Sequence, residues 1–245
     1  MNREVFERLR RHLEADELVA LVTLAAGAGA GAGAQRLIRP GEKALGSLGN
    51  AGLDAEADRL AADGFSSFAS RRADLERDGA RFDLFCDVYP PAPKLFVVGA
   101  VHVAIHLCRF ARELGFRTVV IDPRTAFATP KRFADADALD TRWPAEALAD
   151  HGLDEASCLA TLSHDQKIDV PALAAALDSP ARYVGALGSK RTHAKRVAAL
   201  AEMGYDDEQI GRVHSPIGFD LGGRRAEEIA LAVMAEIVAA RHGKL

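Results

Sequence analysis

Beyond Pro90-Pro91-Ala92-Pro93, a run that neither a helix nor a sheet interior tolerates, short apolar stretches alternate with helix-length segments to the end of the chain. That alternation predicts a parallel sheet with crossover helices, because parallel strands need a long connection between them. Strands are expected at 95–98, 118–121, 158–162 and 182–184, with a short further candidate near Ala136. Helices are expected at 101–114, 170–177, 190–203 and 225–241. The last has Glu227 and Glu228 near its start, Arg241 and His242 near its end and Gly243 just beyond, which suits the helix dipole and a glycine stop.

The residues before the prolines read differently. Val5, Leu9 and Leu13 share one face of a helix over 2–15, and a strand-like apolar run, 18–24, follows. Gly27, Gly29, Gly31 and Gly33 then alternate with alanines, which gives no side-chain core, so a mobile loop is expected. A strand pair is expected at 35–39 and 43–48, turned at Pro40-Gly41, then a helix through about Ala62 and a strand at 82–89. The expectation is an α/β chain with two domains, a smaller α+β domain over 1–90 and the parallel-sheet domain over 91–245.

In a doubly wound sheet, ligands bind beyond the carboxyl ends of the strands. Polar residues collect at four such ends. Gly99-Ala100-Val101-His102-Val103-Ala104 follows the first strand as a degenerate GxGxxG, and Asp122-Pro123-Arg124 follows the second, Asp122 lying 18 residues past Ala104, where an acid can hold a ribose hydroxyl. Ser163-His164-Asp165 follows the third. The fourth ends in Gly185-Ala186-Leu187-Gly188-Ser189, with Ser189 placed to cap a helix that opens Lys190-Arg191. Cations usually sit at the other end of a helix, so two at its start point to an anion held with the backbone amides. The bland alternative is an ordinary strand-to-helix turn with solvated basic residues. His102 can face a ligand or serve as a surface residue at a helix start; Asp122 can equally be a plain strand-end residue.

Several function classes drop out. A net charge of −4 with mixed signs offers no basic field for nucleic acid, and no run of about 20 apolar residues could span a bilayer. Met1-Asn2-Arg3-Glu4-Val5 lacks an apolar signal core, and Cys86, Cys108 and Cys158 lie far apart in apolar segments, so a cytoplasmic protein without disulfides is expected. His102 and His106 stand four apart, but with no glutamate between them and no third ligand a zinc hydrolase is the weakest reading.

Six motifs in one order resemble the XdhC/CoxI family: the run 95–122, Phe127-Ala128-Thr129-Pro130-Lys131-Arg132-Phe133, Ser163-His164-Asp165, Gly185 to Thr192, His214-Ser215-Pro216-Ile217-Gly218-Phe219-Asp220-Leu221-Gly222, and Glu227-Glu228-Ile229-Ala230. The likeness covers 94–242 and continues, more weakly, through Leu45-Gly46-Ser47-Leu48-Gly49. It implies a Rossmann-like domain in an accessory protein of molybdenum hydroxylases such as xanthine dehydrogenase: a nucleotide-binding chaperone, not a catalyst, that binds molybdenum cofactor (molybdopterin or its dinucleotide), protects the sulfurated form and delivers it to the apoenzyme. A cysteine desulfurase is the implied further partner, and a homodimer the implied state. The expected cofactor-binding residues are Gly99, His102, Asp122, Arg124, His164, Asp165, Gly185, Gly188, Ser189, Lys190 and Arg191, with Pro216 and Gly218 closing the site by resemblance; no catalytic residue and no metal ligand is expected.

Two features depart from the family. Gly49-Asn50-Ala51-Gly52-Leu53-Asp54 carries no cysteine where many relatives have a glycine-rich element, and the Gly27 to Gly33 repeat replaces a polar loop. The rival reading is an NAD(P)-dependent oxidoreductase using the same crevice. Against it, Val101 stands where a glycine lets the backbone approach pyrophosphate, and Tyr89, Tyr183 and Tyr205 are not poised for hydride chemistry.

Overall fold

The structure, a computed structural model, describes residues 2–27, 31–77 and 79–245. It divides into two compact units, one ending at Pro91 and the other running from Ala92 to Leu245.

The first unit is an antiparallel sheet with a helix on each face. Its elements are α1 (Arg3–Glu14), β1 (Val19–Gly27), β2 (Gln35–Ile38), β3 (Leu45–Gly46), α2 (Ala51–Ser67), β4 (Arg71–Arg77) and β5 (Ala80–Tyr89), with strand order β3-β2-β1-β5-β4. Alternation in β1 sorts the faces: Ala20, Val22 and Leu24 pack with Leu53, Ala57 and Leu60 of α2, while Val19 and Leu21 meet Val5 and Leu9 of α1. The glycine–alanine repeat, expected as a loop, is partly strand. β1 runs on through Gly27, pairing Ala26 with Asp83 after a register shift, and Gly33 N returns a bond to Leu24 O at 2.9 Å. Ala28, Gly29 and Ala30 lie outside the described residues. Strand β4 was not foreseen, because its exposed, charged residues carry no apolar alternation; it is an edge strand, where charge prevents pairing with other chains.

The second unit contains β6 (Lys94–Val98), α3 (His102–Glu113), β7 (Arg117–Ile121), β8 (Ala138–Asp140), α4 (Pro144–His151), β9 (Ser157–Thr161), α5 (Gln166–Leu177), β10 (Tyr183–Ala186), α6 (Lys190–Glu202), α7 (Asp207–Gly211), β11 (Val213–His214) and α8 (Ala226–Arg241). All six strands are parallel, in the order β11-β10-β9-β6-β7-β8, so the order reverses between β6 and β9. Both faces are covered. Leu95 and Val97 of β6 face α3 and α8; Phe96 and Val98 face the layer of α4, α5 and α6. Each fully buried side chain of this size contributes about 1.5–3 kcal/mol, which explains why strands buried on both sides read as continuous apolar runs. Helix α5 begins at Gln166, earlier than expected, because Asp165 caps it and Pro171 is accommodated inside. Among the described residues no helix is long and apolar enough to cross a membrane.

Candidate functional site

The carboxyl ends of β7, β6, β9 and β10 are tied together by a continuous line of contacts. Asp122, fully buried just past β7, accepts the Ala100 amide at 2.7 Å, anchoring the turn after β6. Gly99 in that turn has φ +109°, and a Cβ there would stand 2.7 Å from Ser163 N, so the chain after β9 runs directly against it. Ser163 donates its hydroxyl to Asp169 of α5 at 2.6 Å; Asp169 pairs with Arg196 of α6, and Arg196 Nη2 reaches Leu187 O, after β10, at 2.8 Å. The sequence reading missed Asp169 and Arg196, both almost fully buried. The sequence signal for Asp169 is a charge inside an apolar run, between Ile168 and Val170; Arg196 has no comparable signal, because Thr192 and His193 share its side of α6.

The expected site residues fare differently within this frame. Asp122 has no acceptor capacity left for a ribose. Besides Ala100 N, its oxygens take the Arg124 backbone N–H and Nε at 2.9 Å and Nη2 at 2.8 Å. Burial pushes its pKa up, but these bonds together outweigh burial and hold it below the usual aspartate range. Arg124, raised chiefly by that bond, also lies over the Phe127 ring and feels Asp165 and Asp169 across the crevice. His102 is exposed and stands edge-on to His106, with ring centroids 5.3 Å apart. Gly185 is not in the turn. It lies within β10, and a Cβ there would stand 2.6 Å from Ile217 and 2.7 Å from the Tyr183 hydroxyl, so it makes room in the core.

Around the turn after β10 the arrangement is open. Gly188 has φ +151°, and Ser189 Oγ accepts Thr192 N at 3.2 Å as the cap of α6. The first intrahelical bond runs from His193 N to Ser189 O, which leaves the Lys190 and Arg191 amides without a helical acceptor. Both side chains are exposed, no acid stands in the first turn, and neither forms a salt bridge among the described residues. Beside them a polar cavity of about 530 Å³ is lined by His164, Gln166, Thr192 and Lys195. His164 is held at φ +62°, uncommon for a non-glycine residue, and Asp165 caps α5 through Lys167 N. On the other side, Leu187, Pro216, Gly218 and Phe219 line a less polar cavity of about 500 Å³. Gly218, at φ +88°, lets this loop rest on the α8 backbone, where a Cβ would meet Val233 N at 2.8 Å, and its amide donates to Glu236 at 2.7 Å.

This chemistry suits an anion. It does not supply a thiolate: all three cysteines are buried, and burial pushes Cys86 up to about 11 and Cys108 and Cys158 up to about 12. No group of three or more His, Cys, Asp or Glu able to hold a metal ion occurs among the described residues.

The chain is similar to several known proteins. The chain is 38% identical over 99 residues to the molybdenum cofactor insertion chaperone PaoD of Escherichia coli, covering 40% of this chain and 30% of that protein. It is 28% identical over 159 residues to a probable xanthine dehydrogenase subunit of Bacillus subtilis, covering 65% of this chain and 46% of the relative. The uncharacterized protein YqeB of Escherichia coli is 29% identical over 163 residues, covering 65% of this chain and 29% of YqeB. The chain thus spans less than half of each of these relatives. A crystal structure described as a xanthine dehydrogenase from Bacillus halodurans shares the fold, with a TM-score of 0.66 and 24% identity, covering 97% of this chain and 66% of that one. The profile of the XdhC Rossmann domain matches residues 95–237, more than half of the sequence, and the chain belongs to that family.

Proposed function

We propose that this chain is an accessory factor that binds molybdenum cofactor, as molybdopterin or its dinucleotide, and delivers it to a molybdenum hydroxylase. The observation that carries the reading is the start of α6: two exposed cations and two free amides with no acidic partner among the described residues, at the carboxyl edge of the sheet. The likeness to PaoD, a molybdenum cofactor insertion chaperone, supports it. Lys190, Arg191 and the amides after Gly188 and Ser189 would hold the phosphate; His164 and Asp165 would meet polar atoms of the ligand. Pro216 and Gly218 would wall the ring. Gly99, Asp122 and Arg124 would shape the floor, and His102 would lie at its margin. Transfer, not turnover, is the work such a site suits. Besides the hydroxylase apoenzyme, a cysteine desulfurase and a second copy of the chain are partners the family resemblance suggests, in the cytoplasm.

The test is binding of molybdopterin, its cytidine and guanine dinucleotides, NAD(H) and NADP(H) to the purified chain and to a Lys190→Ala/Arg191→Ala variant. Pterin binding lost in the variant is expected. Binding of NAD(P) alone would replace this reading with a nucleotide-dependent oxidoreductase, despite Val101.

A further inference from the structure

Among the described residues of the second unit, four buried side-chain atoms have no hydrogen-bond partner: Nε and Nη1 of Arg196, Nδ1 of His193 and Oγ of Ser215. All belong to residues bordering one turn. His193 is in the first turn of α6 and Arg196 is three residues on, on the same side. Ser215 directly follows β11, the strand paired with β10, and two residues later Ile217 N donates to Ala186 O. Buried polar groups nearly always find partners, so orphans gathered at one place call for a ligand that completes them.

Arg196 is the informative member. It is 1% exposed, and Asp169 and Leu187 O engage only Nη2, leaving the N–H groups of Nε and Nη1 unused. A buried ion pair contributes little to stability compared with apolar side chains of the same volume, so stability does not account for an arginine here. Its position does. A Cβ on Gly188 would lie 3.1 Å from Nη1, which puts the guanidinium directly beneath the backbone that an anion at the start of α6 would touch.

We propose that Arg196, the Ser215 hydroxyl and the His193 ring form the inner half of a subsite for a phosphate monoester or pyrophosphate, whose outer half is Lys190, Arg191 and their amides. This rests on the phosphate-bearing ligand proposed above and adds the residues that make the site read an oxyanion. Burial and the neighbouring Arg196 lower the His193 pKa, so in the inner half the fixed charge is that of Arg196.

Calorimetric titration of the full chain with inorganic pyrophosphate tests it, using wild type, Lys190→Ala/Arg191→Ala, Arg196→Lys and Ser215→Ala, each checked for folding by circular dichroism. Arg196→Lys keeps a charge for Asp169 but loses the fork, and should weaken binding at least about tenfold; Ser215→Ala should weaken it about threefold. If Arg196→Lys fails to fold, the Arg196 Nε–H resonance of the wild type serves instead, and should shift on pyrophosphate addition. Binding that is lost in the outer variant but unchanged in Arg196→Lys and Ser215→Ala, or an unmoved Nε–H signal, overturns the inner subsite and leaves the cofactor reading standing. Arg196-dependent pyrophosphate binding by a chain that takes no pterin supports the subsite and removes the cofactor reading.

Discussion

Two strand-to-helix turns on one sheet edge meet the same physical demand in opposite ways. Each presents helix amides at the positive end of a dipole, where negative charge is favoured. At the β6–α3 turn a carboxylate stands against the chain entering the helix: Asp122 takes the Ala100 amide, just before the N-cap Val101, and Arg124 pairs with that carboxylate. At the β10–α6 turn the carboxylate, Asp169, is set back behind Arg196, and Lys190 and Arg191 have no acidic partner among the described residues. In a fold that ordinarily binds dinucleotides at its first turn, this turn holds an acid already paired with Arg124, so its charge is closed internally. The open turn, whose cations have no acidic partner among the described residues, lies two strands away and is the one proposed to hold an anion.

The contrast predicts unequal tolerance of a single methyl group. Gly99→Ala would place a Cβ 2.7 Å from Ser163 N in a backbone at φ +109°, a clash with backbone that cannot rotate away. A loss on the order of 3 kcal/mol is expected in urea unfolding. Gly188→Ala meets Arg196 Nη1 and Thr192 at 3.1–3.3 Å, side-chain atoms able to give a little, so its cost is chiefly the backbone strain of φ +151°, about 1 kcal/mol. Equal losses would mean that both turns are rigid frame and that the difference drawn between them is wrong.

Next in size is Asp122→Ala, with an expected loss of about 2 kcal/mol, since Arg124 is a third exposed and keeps solvent when its partner goes. The pH dependence fixes the sign. The folded carboxyl titrates below its ordinary value, so the stability it confers is complete above about pH 4 and falls away as pH drops through the folded value. Wild type and variant should therefore converge in acid. A gap that stays constant down to pH 2 would show that Asp122 acts by packing, not by charge.

Much of this edge was legible in the sequence, and the misses are physical. Asp122 stood where an acid was expected, but spacing locates a side chain without revealing that Ala100 and Arg124 have already filled its lone pairs. Gly185 was read as a turn residue because glycine usually marks one; what it provides is space for Ile217 and the Tyr183 hydroxyl. Asp169 and Arg196 lie 27 residues apart on different helices, and no local periodicity reports a pairing of that range. Helix α4 escaped because eight residues with two buried hydrophobics beyond its leading proline carry little amphipathic signal. The alternating strands and helices after the prolines were plain for the opposite reason: burial on both faces leaves long apolar runs that only a covered parallel sheet satisfies.

The smallest effect concerns sulfur, and it tests whether either turn has been given the wrong chemistry. Cys108 lies in the core of α3, which the closed turn starts, and Cys158 lies in β9, between the two turns. Both are buried, with thiols pushed up to about 12, so at pH 8 the reactive thiolate is a minute fraction and the sulfur is shielded as well. Iodoacetamide should leave the native protein unlabelled and modify all three cysteines in urea. Cys158→Ala should cost about 1 kcal/mol and leave pyrophosphate affinity unchanged, because the sulfur packs among hydrophobic neighbours near the start of β9, at the strand end away from the turns. Rapid native labelling of Cys158 that pyrophosphate suppresses would put a thiol within reach of the ligand. The open turn would then be a sulfur-handling site as well as an anion site, and its difference from the closed turn would lie in redox chemistry as much as in charge.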